Sequence, residues 1–114
     1  MKIVKDQLPI SELQEMAKNM HGDFVKVIID IEKEIMAIDA PMHSDLLEFL
    51  IKEENSEPKN LWGINIHPDK KDNDFIEFDS MMNFKPGFGN RTMGIESEEI
   101  RNKIIDIINK LVKK

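Results

Sequence analysis

The sequence contains no cysteine, which excludes disulfides, thiolate metal sites and cysteine nucleophiles. No apolar run comes near the roughly 18 residues of a membrane-spanning helix. The N-terminal stretch MKIVKDQLPI also lacks a signal-peptide hydrophobic region, so the default expectation is a cytoplasmic protein with no membrane association. Basic residues are in deficit, 16 Lys+Arg against 22 Asp+Glu, for a net charge of −6. That balance favours solubility and disfavours a generic nucleic-acid partner, because phosphates repel an acidic surface. Arg91 and Arg101 carry the only guanidinium groups. The three histidines, His21, His43 and His67, match neither HxxxH nor HExxH, so a zinc site has little support.

What is present is enough for one domain of 114 residues with a substantial core. Met1 to Lys5 reads as a short strand or a lead-in. Ser11 and Gln14 fit a capping box, followed by Leu13, Met16, Ala17 and Met20 at helical spacing and Gly22 as a stop. From Phe24 the period changes to two, and Val25, Val27, Ile29 and Ile31 share a strand face. Ile35 and Ala37 continue that face, through either a bent strand or a short hairpin. Asp45 to Glu54 is ambiguous: Ser44 could cap a helix there, but the reading favours a strand. Leu61 to His67 is a strand with Trp62, Ile64 and Ile66 on one side, and Pro68 to Asn73 a polar solvent turn.

Asp74 to Phe84 is expected to be a further strand. Its apolar face would be Ile76, Phe78, Met82 and Phe84, and its polar face Glu77, Asp79 and Asn83. A loop with Gly87, Gly89 and Gly94 then leads to a helix capped by Ser97, whose stripe is Ile100, Ile104, Ile107, Ile108 and Leu111. The expected fold class is therefore α+β: a mainly antiparallel sheet with an N-terminal and a C-terminal helix packed on one face.

Two features carry chemistry. Glu77 and Asp79, two residues apart on a strand, would place their carboxylates on one face, where they could hold Mg²⁺ or divide acid and base roles. His43, in the His-x-Asp sequence His43-Ser44-Asp45, is the candidate third member. The second feature is Lys85 to Gly94. Successive backbone N–H groups in a glycine-rich turn can cradle an anion, with Lys85, Asn90 and Arg91 as ligand-binding candidates. Asn65 and Trp62, on the strand that precedes in the sequence, complete the set. Each has a plainer structural reading: a solvated sheet face for the carboxylates, a strand-to-helix connection for the loop with Arg91 paired to Glu77 or Asp79, and core packing for Trp62.

At LWGINI (Leu61 to Ile66), DFIEFDS (Asp74 to Ser80), GNR (Gly89 to Arg91), EIMAI (Glu34 to Ile38) and MHSD (Met42 to Asp45), the chain resembles a small prokaryotic family catalogued as a domain of unknown function. The resemblance implies no activity, cofactor or catalytic residue. The leading expectation is a binding or interaction module holding a small anionic ligand or a protein partner at the 85–94 loop. The alternatives are a metal-assisted hydrolase or nuclease using Glu77, Asp79 and His43, and a homodimerising structural protein.

Overall fold

The computed structural model describes residues 1–114. Strands β1 (Lys2–Val4), β2 (Leu8–Pro9), β3 (Val25–Asp30), β4 (Ile35–Ile38), β5 (Leu61–Ile66), β6 (Ile76–Glu77) and β7 (Val112–Lys113) alternate with helices α1 (Ile10–Met20), α2 (His43–Glu54) and α3 (Glu98–Leu111). Five strands form an antiparallel sheet in the order β1-β4-β3-β5-β6. β2 and β7 pair in parallel, tying the segment before α1 to the end of α3. The α+β class stands. No helix is long and apolar enough to cross a membrane.

The sheet is buried on both sides. On one side Val25, Val27, Ile29, Met36, Ile38, Ile64 and Ile66 pack beneath α1, through Leu13 and Ala17, and α3, through Ile104, Ile107, Ile108 and Leu111. On the other, Ile28, Ile35, Ala37 and Leu61 pack beneath α2, through Leu46 and Leu50. Thus the N- and C-terminal helices do share a face, and a third helix covers the opposite one.

Segment 43–54 is a helix, not the strand expected from Leu47, Phe49 and Ile51. His43, Leu46 and Leu50 recur at helical spacing and are its buried residues, and the apolar residues on the second side of β3 and β4 require a cover. Ser44 is not its cap: the N-cap is Met42, with no side-chain cap bond, and Asn55 ends the helix in the left-handed region at φ 55°. The β3–β4 connection is a hairpin. Its register pairs Ile28 with Ala37 and Ile29 with Met36, so Met36 and Ile38, not Ile35 and Ala37, share the face of Val27 and Ile29. Asp30 sets this turn. Its buried Oδ1 accepts the backbone N–H groups of Glu32 and Lys33, both at 3.0 Å.

Two caps differ. Helix α1 starts at Ile10 after Pro9 with no side-chain cap bond, so the Ser11–Gln14 capping box is not formed. Ser97 does cap α3, its Oγ accepting the Ile100 N–H at 3.2 Å. Pro68, expected in solvent, is buried.

The largest correction concerns 74–84. Only Ile76 and Glu77 pair with β5; Ser80 then caps a 3₁₀ turn over Met81–Asn83, its Oγ accepting the Met82 N–H. Ile76 and Phe78 lean on the first core, Met82 on the second, and Phe84 is exposed, so the four do not line one face. The strand stops because side chains, not another backbone, complete the rest of the β5 edge.

Candidate functional site

Along its outer edge, β5 meets β6 at Asn65 and Ile66, a side-chain clamp at Gly63 and a lysine at Leu61. Asn83 is fully buried, and its amide imitates a peptide. Its Oδ1 accepts the Gly63 N–H at 2.7 Å while Nδ2 donates to Gly63 O at 2.8 Å and Met93 O at 3.0 Å. Gly63 is needed here for close approach: a Cβ would fall 2.5 Å from the Ser80 side chain. Lys85 Nζ donates to Leu61 O at 2.6 Å and Met82 O at 2.9 Å and lies 4.4 Å from the centre of the buried Trp62 ring. Burial pushes the Lys85 ammonium down to about 8.

The glycine-rich loop is closed from within. Asn90, also buried, donates through Nδ2 to Asn83 O, Thr92 O and Gly94 O and accepts the Glu96 N–H at Oδ1. The N–H groups of Phe88, Gly89 and Asn90 bond to loop carbonyls, and that of Arg91 to the Glu96 carboxylate. An internal anion thus occupies part of the cradle read from the sequence. Of the four ligand candidates at this end, Lys85, Asn90 and Trp62 face inward, and Arg91 is exposed. No carboxylate lies within 4.0 Å of the Arg91 guanidinium, so the expected Arg91–Glu77 or Arg91–Asp79 pair is not made.

Asn65 belongs to a second neighbourhood. It stands between Lys26 of β3 and Glu77 of β6 in the sheet register. Its Nδ2 donates to Glu77 Oε1 at 3.0 Å, and His67 Nε2 approaches the same oxygen at 3.2 Å. The Asn65 and His67 hydrogen bonds hold the Glu77 carboxyl below its ordinary range. His43, in the first turn of α2, reaches Ile64 O through Nε2 at 2.8 Å. Since a carbonyl only accepts, that nitrogen carries the proton, and burial lowers the imidazole pKa, which keeps the ring neutral at pH 7. Asp79 is exposed and makes no side-chain bond; its backbone carbonyl is 3.4 Å from Asn65 Nδ2. Glu77, Asp79 and His43 do not converge as ligands, and no group of three or more His, Asp or Glu side chains is placed to hold a metal ion.

Sequence reasoning missed the Asn83 clamp and the apolar display around it. In the sequence Asn83 falls on the polar face of an expected strand, where nothing distinguishes a solvated amide from a buried one. Met81, Phe84, Phe88 and Met93 are 75%, 57%, 69% and 50% exposed. Their signal in the sequence is that Met81, Phe88 and Met93 lie near Pro86, Gly87 and Gly89 with no periodicity to bury them; Phe84, which fits the alternating face, carries no such signal.

No curated protein and no solved structure matches the chain. A family profile described as "Protein of unknown function (DUF5674)" matches residues 2–111, nearly the whole chain including both neighbourhoods above, and the protein therefore belongs to that family.

Proposed function

We propose that this domain is an interaction module whose working surface is the 80–94 loop, with a protein segment as its partner. The observation that carries this reading is the combination of rigid interior and apolar exterior. The loop's buried amides, Asn83 and Asn90, and its lysine, Lys85, all bond inward, while Phe84, Phe88, Met81 and Met93 stand in water. A loop that needed these side chains only for its own folding would bury them. Four of the eight exposed large apolar side chains of the chain fall on this one loop, a concentration of the kind that marks contact sites, and a preorganised loop lowers the entropic cost of binding. Asn65, Glu77, His67 and His43 then serve to anchor β6, β5 and α2 beside the loop.

Selection of peptides from a random display library against the intact protein tests this. Enriched peptides should bind in solution, and Phe84→Ser with Phe88→Ser should abolish binding while far-UV circular dichroism stays that of wild type. His43→Gln should leave affinity unchanged. Peptides that bind the double variant as tightly as wild type, or a selection that enriches nothing, would refute the proposal.

A further inference from the structure

Between the loop and α2 lies an open cleft of about 290 Å³, whose apolar lining comes from Leu47, Pro58, Met82 and Phe88. Open to solvent and largely apolar in its lining, it can receive an inserted apolar side chain. Its charged lining is Lys59 and Lys85, with no carboxylate, in a chain carrying 22 acidic against 16 basic residues. Arg91, farther along the same loop, is exposed and unpaired.

We infer that this cleft receives an acidic segment of another protein, which inserts an apolar side chain between Leu47 and Phe88 and sets its carboxylates against Lys59, Lys85 and Arg91. The inference rests on the loop reading above and adds the chemical class of the partner. Charge selects the occupant. Lys85 gives two of its three N–H groups to carbonyls, which accept hydrogen bonds but do not neutralise its charge. Its depressed pKa is consistent with a cation held in a poorly solvated place, where a carboxylate would be welcome. Lys59 has an exposed partner, Glu57, at 3.3 Å, an ion pair weak enough to be exchanged for one with an incoming acid. A second copy of this chain is the poorer occupant. An isologous contact centred on the cleft would bring together two copies of a lining that carries lysines and no carboxylate, between two molecules each of net charge −6.

The probes are three short synthetic peptides sharing a central Leu-Trp pair flanked by glutamate, glutamine or lysine, titrated by fluorescence anisotropy into the full chain. The glutamate peptide should bind about tenfold or more tighter than the lysine peptide at low ionic strength, with the gap shrinking in high salt. Lys59→Glu with Arg91→Glu should reverse the order, and Phe88→Ser should weaken all three. Three peptides that bind alike, yet still depend on Phe88, would overturn the acidic class and leave the loop reading standing. Absence of any Phe88-dependent binding would overturn both. Sedimentation equilibrium supplies the remaining arm: a wild-type dimer that becomes monomeric in Phe88→Ser would make the occupant a second copy and overturn the inference.

Discussion

Replacing Asn83 by alanine removes the clamp on β5 and leaves the Gly63 N–H and C=O without partners. Gly63 sits opposite Ile28 with both backbone groups turned to the outer edge, so β3 cannot replace Asn83. Met93 O is spared, because it also accepts the Ser80 N–H at 2.9 Å. Each of the two orphaned buried groups costs about 1–3 kcal/mol, so the substitution should cost about 2–6 kcal/mol in all. For a domain of this size that is a fall in Tm of roughly 8–24 °C. Urea titration followed by Trp62 fluorescence measures the free energy, and hydrogen exchange should show the Gly63 amide losing protection. Asn83→Asp gives a sharper check. At pH 7 a carboxylate oxygen would face the carbonyls of Gly63 and Met93, so this variant should be worse than alanine. Protonation restores a donor. The variant's folded pKa is then raised above the unfolded value of about 3.9, and its deficit relative to wild type should narrow as pH falls through that raised pKa. A loss under about 1 kcal/mol for alanine, or an aspartate deficit that widens in acid, would refute the clamp.

Gly63→Ala should destabilise by about 1–3 kcal/mol through its clash with Ser80, and should combine sub-additively with Asn83→Ala, because both displace the 80–83 turn; thermal melts of the two single and the double variants check this. Burial of His43 lowers its folded pKa below the ordinary 6.5, so the unfolded chain binds the proton more readily and stability should fall as pH drops below 6.5. His43→Gln should flatten the denaturation profile in that window, leaving the later loss below pH 4.5 that follows from the depressed Glu77 pKa. For Lys85 the lowered pKa means that the folded state releases its proton first, near pH 8, so its contribution to stability should rise between about 8 and 10.5. Lys85→Met should remove that rise. At pH 7 the same variant should cost about 1–3 kcal/mol, because Leu61 O and Met82 O lose their donor; the same urea titrations test both.

The amino-acid pattern alone determined the elements whose apolar residues repeat over a full period. The α3 stripe, the alternation of β3 and β5 and the Ser97 cap are local properties and are present, as is the α1 stripe through Leu13, Met16 and Ala17, though Met20 at its end is exposed. Only the tertiary structure decided the elements that depend on a partner. Residues 45–54 hold both a helical set, Leu46, Leu47, Leu50 and Ile51, and an alternating set, Leu47, Phe49 and Ile51, until the second sheet face demands a helix, and the register of β4 follows from the Asp30 turn rather than from β4 itself. The site was decided the same way. Lys85, Asn83 and Asn90 are polar residues that sequence reads as ligand-facing or solvent-facing, yet all three are turned inward: Asn83 and Lys85 satisfy the open β5 edge, and Asn90 satisfies carbonyls and an N–H of its own loop. Whether an amide or ammonium meets water, a ligand or a backbone depends on what lies opposite it, and for Asn83 and Lys85 that is a strand twenty or more positions away.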